Sequence, residues 1–185
     1  MEIIKQKVQT LLKTGFFHVF GSNVINKIIG FMSSIVLVRI LSKMEYGAFT
    51  YAWNIYCIIA LFNGMGVDSG TLQLASEHSG DKKYAKQISD YGTRVGLVFN
   101  VGLSIVTLCI GIFAPLAING AGILICSMFA MPFFQFLFNM YCTYLRSQKM
   151  NQAYSQMTVV NTVILFLASA LCAVLFREMG LIIGH

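Results

Sequence analysis

Residues 91–118 read YGTRVGLVFNVGLSIVTLCIGIFAPLAI, an apolar run from Tyr91 to Ile118 whose single charge, Arg94, stands near its start. A helix crossing the ~30 Å hydrocarbon core of a bilayer needs about 20 such residues. Pro115 breaks the run near its end, because proline has no N–H to donate and its ring clashes with the preceding turn. Four more runs of spanning length flank it. They cover Phe17–Leu41, Tyr46–Val67, Ala121–Leu145 and Gln152–Phe176. Another apolar run starts at Gly180 and reaches only His185. The expected fold is therefore all-α integral membrane: a polytopic bundle of about five complete transmembrane helices plus the start of a sixth.

Composition agrees. Of 185 residues, 57% are hydrophobic and only 11% charged, with mean hydropathy +0.72. A soluble domain carries about 25% charged residues, and disorder requires low hydrophobicity with high charge. The net charge of +6 does not point to nucleic acid. Its lysines and arginines lie between apolar runs and form no basic patch interleaved with aromatics. Cys57, Cys109, Cys126, Cys142 and Cys172 fall inside apolar runs without a CxxC pair and read as buried free thiols. No secretory signal is expected, since the first apolar run carries Asn23, Asn26 and Lys27 and no small-residue cleavage site.

Between the runs, residues 1–16 place Ile4, Val8, Leu11 and Leu12 on one face among lysines, an amphipathic segment suited to lying on the cytoplasmic membrane surface. Ser42–Glu45, Asn119-Gly120, Ser147–Asn151 and Arg177-Glu178 are expected turns. Asp68–Asp90 is the one long polar connection. Pro132 lies inside the fourth run, where neighbouring helices can satisfy the freed carbonyl. Counting basic residues, Lys5, Lys7, Lys13, Lys82, Lys83, Lys86, Arg94, Arg146 and Lys149 fall on one side, nine in all. Arg39, Lys43 and Arg177 fall on the other, three in all. That asymmetry puts the N-terminus in the cytoplasm.

Each run carries polar or small residues at helical spacing: Asn23, Asn26, Lys27, Gly30, Ser33 and Ser34; Thr50, Asn54 and Cys57; Gly96, Asn100, Ser104, Thr107 and Gly111; Ser127, Gln135, Asn139 and Thr143; Thr158, Asn161, Thr162 and Ser169. Steps of three and four put each set on one face. Two readings stand side by side. One is packing glue, with interhelical amide bonds of about 0.6 kcal/mol each. The other is a wet cavity between helices. Lys27 divides in the same way. About ten residues into its span, it lies roughly 15 Å deep and calls for an anionic cargo. With a span starting near Val24, it snorkels to the interface. Arg94 is a topology anchor or a weaker phosphate-facing cation. Tyr46, Tyr51, Trp53 and Tyr56 read as an aromatic belt, with Trp53 alternatively a surface for a sugar. No HExxH, GxSxG or P-loop occurs, and His18, His78 and His185 stand far apart. No enzyme activity, cofactor or metal is expected.

The segment Val38-Arg39-Ile40-Leu41-Ser42-Lys43-Met44-Glu45-Tyr46-Gly47 resembles a family signature, the "aR-x-Lg-x-x-x-yG" turn between the first two helices of polysaccharide flippases. These are the Wzx-like O-antigen and lipid-linked oligosaccharide members of the MOP (multidrug/oligosaccharidyl-lipid/polysaccharide exporter) superfamily. Asn63-Gly64-Met65-Gly66-Val67-Asp68 is similar to the end of that family's second helix. One departure is Ser42, where the family usually has glycine. The resemblance extends over the whole chain in helix order and implies the N-terminal lobe of such a flippase. By it, the chain sits in a bacterial inner (plasma) membrane. The resemblance further implies that it moves undecaprenyl-pyrophosphate-linked oligosaccharide from the inner to the outer leaflet, for polysaccharide biosynthesis and export.

The partners it implies are the lipid bilayer, the lipid-linked oligosaccharide, and a missing C-terminal bundle or a second copy. Lys27 matches by position the basic residues thought to meet pyrophosphate. The expected cavity set is Lys27, Asn23, Asn26, Asn54, Asn100, Gln135, Asn139 and Asn161, with amides holding sugar hydroxyls. Two alternatives remain. A MATE-like drug or cation antiporter commonly uses a carboxylate in an early helix, and none lies near a midplane here. A truncated, non-transporting membrane protein is the other.

Overall fold

The structure is a computed structural model that describes residues 16–78 and 80–183, with side chains described over 17–78 and 80–171. Its helices are α1 (Phe16–Ile40), α2 (Lys43–Ala60), α3 (Val67–Glu77), α4 (Lys82–Phe113), α5 (Ala121–Ser127), α6 (Met131–Ser147) and α7 (Asn151–Ile183). Short 3₁₀ turns at Asn63–Gly66 and Met128–Ala130 join α2 to α3 and α5 to α6. Among the described residues there is no strand. Among the described residues, five stretches are long and apolar enough to cross a membrane: Phe17–Ile40, Lys43–Glu77, Lys82–Phe113, Ala121–Ser147 and Asn151–Leu171. The chain is an all-α polytopic membrane protein. Large apolar side chains such as Phe31, Val98, Phe113 and Ile164 stand exposed on the outer faces, as lipid contact requires.

The expected amphipathic segment 1–16 lies outside the described residues, apart from Phe16, which opens α1. The turn at Ser42 is a capping box. The Ser42 hydroxyl accepts from the Glu45 N–H (3.3 Å), and the Glu45 carboxylate accepts from the Ser42 N–H (2.9 Å). Two orphan donors at the start of α2 are satisfied reciprocally, a local reason for serine at this position.

The polar stretch Asp68–Asp90, expected as a connecting loop, is instead a helical hairpin. α3 runs to Glu77 and α4 starts at Lys82, nine residues before the expected Tyr91. Asp81 caps α4, its carboxylate accepting from the Lys83 N–H (3.0 Å) and the Tyr84 N–H (3.1 Å). Thr71 and Ala75 of α3 and Ala85, Ser89 and Gly92 of α4 are buried. Small residues at steps of three and four let two backbones approach closely, so polarity on the outer faces does not prevent helix. The stretch Lys43–Glu77 has 35 residues, more than the about 20 that one crossing needs, and its last part, α3, is one arm of the hairpin.

Two spans are broken. At Gly64, Met65 and Gly66 the backbone φ is positive (67°, 47° and 80°), which ends α2 and redirects the chain into α3. In the fourth span the 3₁₀ turn Met128–Ala130 precedes Pro132, which sits in the first turn of α6, where its missing N–H costs nothing. The fifth helix shows no turn at Arg177-Glu178: α7 continues through both to Ile183, so the expected sixth run from Gly180 is its last part. Two of the cysteines expected to be buried, Cys57 and Cys109, are exposed on outer faces.

α2–α3, α4 and α5–α6 pack together as a central group, and α7 touches α2, α5 and α6. α1 packs chiefly on α7 and barely meets α2. At the centre, the Phe136 ring of α6 is fully buried. A Cβ at Gly96 of α4 would run into this ring, 2.6 Å from Cε1, and one at Gly64 would lie 2.7 Å from Cε2. The ring occupies the volume that two side chains would fill.

Gly96→Ala therefore lowers stability in detergent by about 1–3 kcal/mol, the usual cost of overpacking. In a Phe136→Ala background, itself costing about 3–5 kcal/mol, the same change costs much less. Thermal unfolding of the double-mutant cycle measures the coupling; strictly additive costs would contradict this packing.

Candidate functional site

On α6, Pro132, Phe136, Met140, Thr143 and Ser147 form the buried stripe. At about 100° per residue, Met131, Gln135, Phe138 and Asn139 fall on the adjoining face. That face borders a cavity of about 600 Å³, closed by Tyr56 of α2, Ser127 of α5 and Asn161 and Leu165 of α7. Tyr56 donates its hydroxyl proton to Gln135 Oε1 at 2.8 Å, tying the second span to the fourth. The Gln135 amide N–H groups remain as donors. Among the described residues, the side chains of Asn139 and Asn161 make no hydrogen bond. Three amide residues and two hydroxyl residues thus border one space, walled by Met131, Phe134, Phe138 and Leu165.

Asn161 and Tyr56 both stand well inside their spans. Asn161 follows the start of α7 by ten residues, roughly 15 Å, and Tyr56 follows the start of α2 by thirteen, roughly 20 Å. Amides at mid-bilayer need polar company, since an unsatisfied polar group there costs several kcal/mol. An Asn or Gln amide offers donors and acceptors together, as a polyhydroxylated ligand demands. The Tyr56 ring continues a ladder on α2, with Trp53 5.5 Å away and Phe49 6.0 Å beyond Trp53. Of these rings, Tyr56 and Trp53 are expected in an interfacial belt; instead Tyr56 is buried and Trp53 packs against the core cluster. Tyr56 is the cavity residue that the polar stripes did not mark; a tyrosine hydroxyl so deep in a span must find a partner, and that was the available signal. Tyr51, eight residues into α2, accepts through its hydroxyl from the Ala117 N–H at 3.3 Å.

The other expected site residues lie elsewhere. Asn100 is wholly buried on α4, its amide donating to the Gly96 carbonyl of its own helix at 2.8 Å. Asn54 and Arg94 are exposed and do not line the cavity. The polar stripe of α1 divides in two. Asn26 and Ser33 are half-buried, whereas Asn23, Lys27, Gly30 and Ser34 are exposed. Lys27 and Asn23 border an open ledge of about 460 Å³ with Phe20, Val24, Ile28, Phe31 and Met32, all on α1. Lys27 stands near the middle of the span Phe17–Ile40. The amide cavity and the lysine ledge are therefore two places. Among the described residues, no cluster of His, Cys, Asp and Glu is suited to hold a metal. Asp68 is half-buried in the first turn of α3, away from both.

A family model described as "Polysaccharide biosynthesis protein" matches residues 12–183. No curated protein and no solved structure matches the chain.

Tyr56→Phe keeps the ring and removes the bond to Gln135. It is expected to lower stability in detergent by about 0.5–1.5 kcal/mol; an unchanged unfolding midpoint would contradict the bond.

Proposed function

The chain belongs to the polysaccharide biosynthesis protein family, whose members are transporters, and from that premise we propose that it flips a lipid-linked oligosaccharide. The proposed cargo is carried on undecaprenyl pyrophosphate and passes from the inner to the outer leaflet of a bacterial plasma membrane, for polysaccharide export. In this reading the N-terminus and the α3–α4 hairpin are cytoplasmic, as the basic residues favour.

The observation that carries the proposal is the amide-lined cavity at mid-bilayer. A sugar head group cannot cross hydrocarbon bare, because each unpaired hydroxyl carries a desolvation cost of several kcal/mol. Gln135, Asn139, Asn161 and Tyr56 supply replacement hydrogen bonds, while the lipid tail stays in the bilayer. Lys27 supplies the countercharge for the pyrophosphate. A lysine exposed on an apolar face at mid-span is costly unless it lines a water-filled cavity or meets a partner. We assign the ledge of Asn23 and Lys27 to the face that meets a second bundle or a second copy, across which the cargo passes. Alternating access by rocking of two such bodies about a central site is a general transporter device.

In cells that depend on this protein for surface polysaccharide, Gln135→Leu with Asn139→Leu lowers export about tenfold, the cost of one or two lost hydrogen bonds. Lys27→Glu lowers it further than Lys27→Ala. Surface glycan and undelivered lipid-linked oligosaccharide are measured together. Normal export by all three variants at normal protein levels would overturn the proposal.

A further inference from the structure

A second groove, of about 430 Å³, opens between α4 and α6 at the lysine-rich end of the bundle. It lies outside the amide cavity and shares no residue with it. Its register is fixed by Met140, whose Cε lies 3.3 Å from where a Gly92 Cβ would stand. Lys86 and Asp90 of α4 border the groove toward the helix start, with Tyr141 and Tyr144 of α6. Leu137 and Met140 continue it toward the bilayer centre. Charge, then phenol, then hydrocarbon is the order met along a phospholipid from head group to acyl chain.

The charges select the head group. Lys86 and Asp90 stand four residues apart on one helix face, so their side chains are neighbours. Both are exposed, and among the described residues neither takes part in an ion pair. One fixed cation beside one fixed anion matches a molecule carrying a phosphate beside an ammonium. An anionic head group without an amine meets the Asp90 carboxylate as a like charge, which disfavours it. Tyrosine hydroxyls accept from a primary ammonium, and their ring faces attract it.

We propose that this groove is a binding site for a zwitterionic phospholipid with a primary-amine head group, its phosphate on Lys86 and its amine on Asp90. The site is a place for a resident lipid and does not depend on what the amide cavity carries.

The test uses the full chain in nanodiscs made of equal parts phosphatidylethanolamine and phosphatidylglycerol. Lipids retained on release from the disc are identified by native mass spectrometry. The wild type is expected to retain phosphatidylethanolamine about tenfold over phosphatidylglycerol, the scale of one charge-assisted hydrogen bond. Asp90→Asn is expected to abolish that preference, and Lys86→Gln to weaken retention of both lipids. Unfolding midpoints of the variants confirm that they fold, as exposed substitutions should. Equal retention by the wild type, a preference unchanged in Asp90→Asn, or retention unaffected by Lys86→Gln would each overturn the assignment.

Discussion

The bundle depends on the Phe136 ring lying where Gly64 and Gly96 have no side chain. A phenylalanine is large and rigid, and it must displace volume from its neighbours. Here both neighbours give way at once. One is a glycine in the break between α2 and α3, and the other is a glycine in the middle of α4. Three spans are locked by one ring. Apolar burial drives little association in lipid, where tails are as apolar as leucine; close steric fit takes its place. The same principle acts where α4 meets α5, since a Cβ at Gly122 would lie 2.6 Å from the Gly111 carbonyl oxygen.

That lock also sets the polar cavity. With Phe136 turned inward, Gln135 and Asn139 have only the adjoining face of α6, toward α7. Gln135 is then held by Tyr56 from the second span. The positive-φ break that admits the ring at Gly64 is part of the same arrangement. Packing and polarity are thus two outcomes of one register. A slip of α6 by a single residue would replace the ring with Gln135 in one direction and with Leu137 in the other.

The five spans were legible because length and apolar composition leave few alternatives for such runs. Their polar faces were legible too, but not their neighbours. A stripe says which residues share a side, not which helix they meet. Thus Asn100, on a good polar stripe, points its amide at its own backbone, while Asn139 and Asn161 come together from distant parts of the chain. The α1 stripe was too broad to face one thing, and Asn26 and Lys27, adjacent in sequence, ended on different sides. The hairpin before Tyr91 escaped because its polar residues are the exposed ones. Its true signal was Thr71, Ala75, Ala85 and Ser89 at fourfold spacing with Asp81 as a cap. Likewise Ser42-Lys43-Met44-Glu45 carried a capping box inside what looked like a plain turn.

On this structure the space bordered by Gln135, Asn139 and Asn161 is wet while the outer face of α7 is in lipid. The direct measurement of this is thiol labelling in membranes by a charged, water-soluble reagent, with all five native cysteines replaced. Asn139→Cys and Asn161→Cys are predicted to react, and Val160→Cys and Ile164→Cys, whose native side chains are exposed on the outer face, are predicted to stay unlabelled. Equal reactivity at all four positions, or none at 139 and 161, would contradict the account.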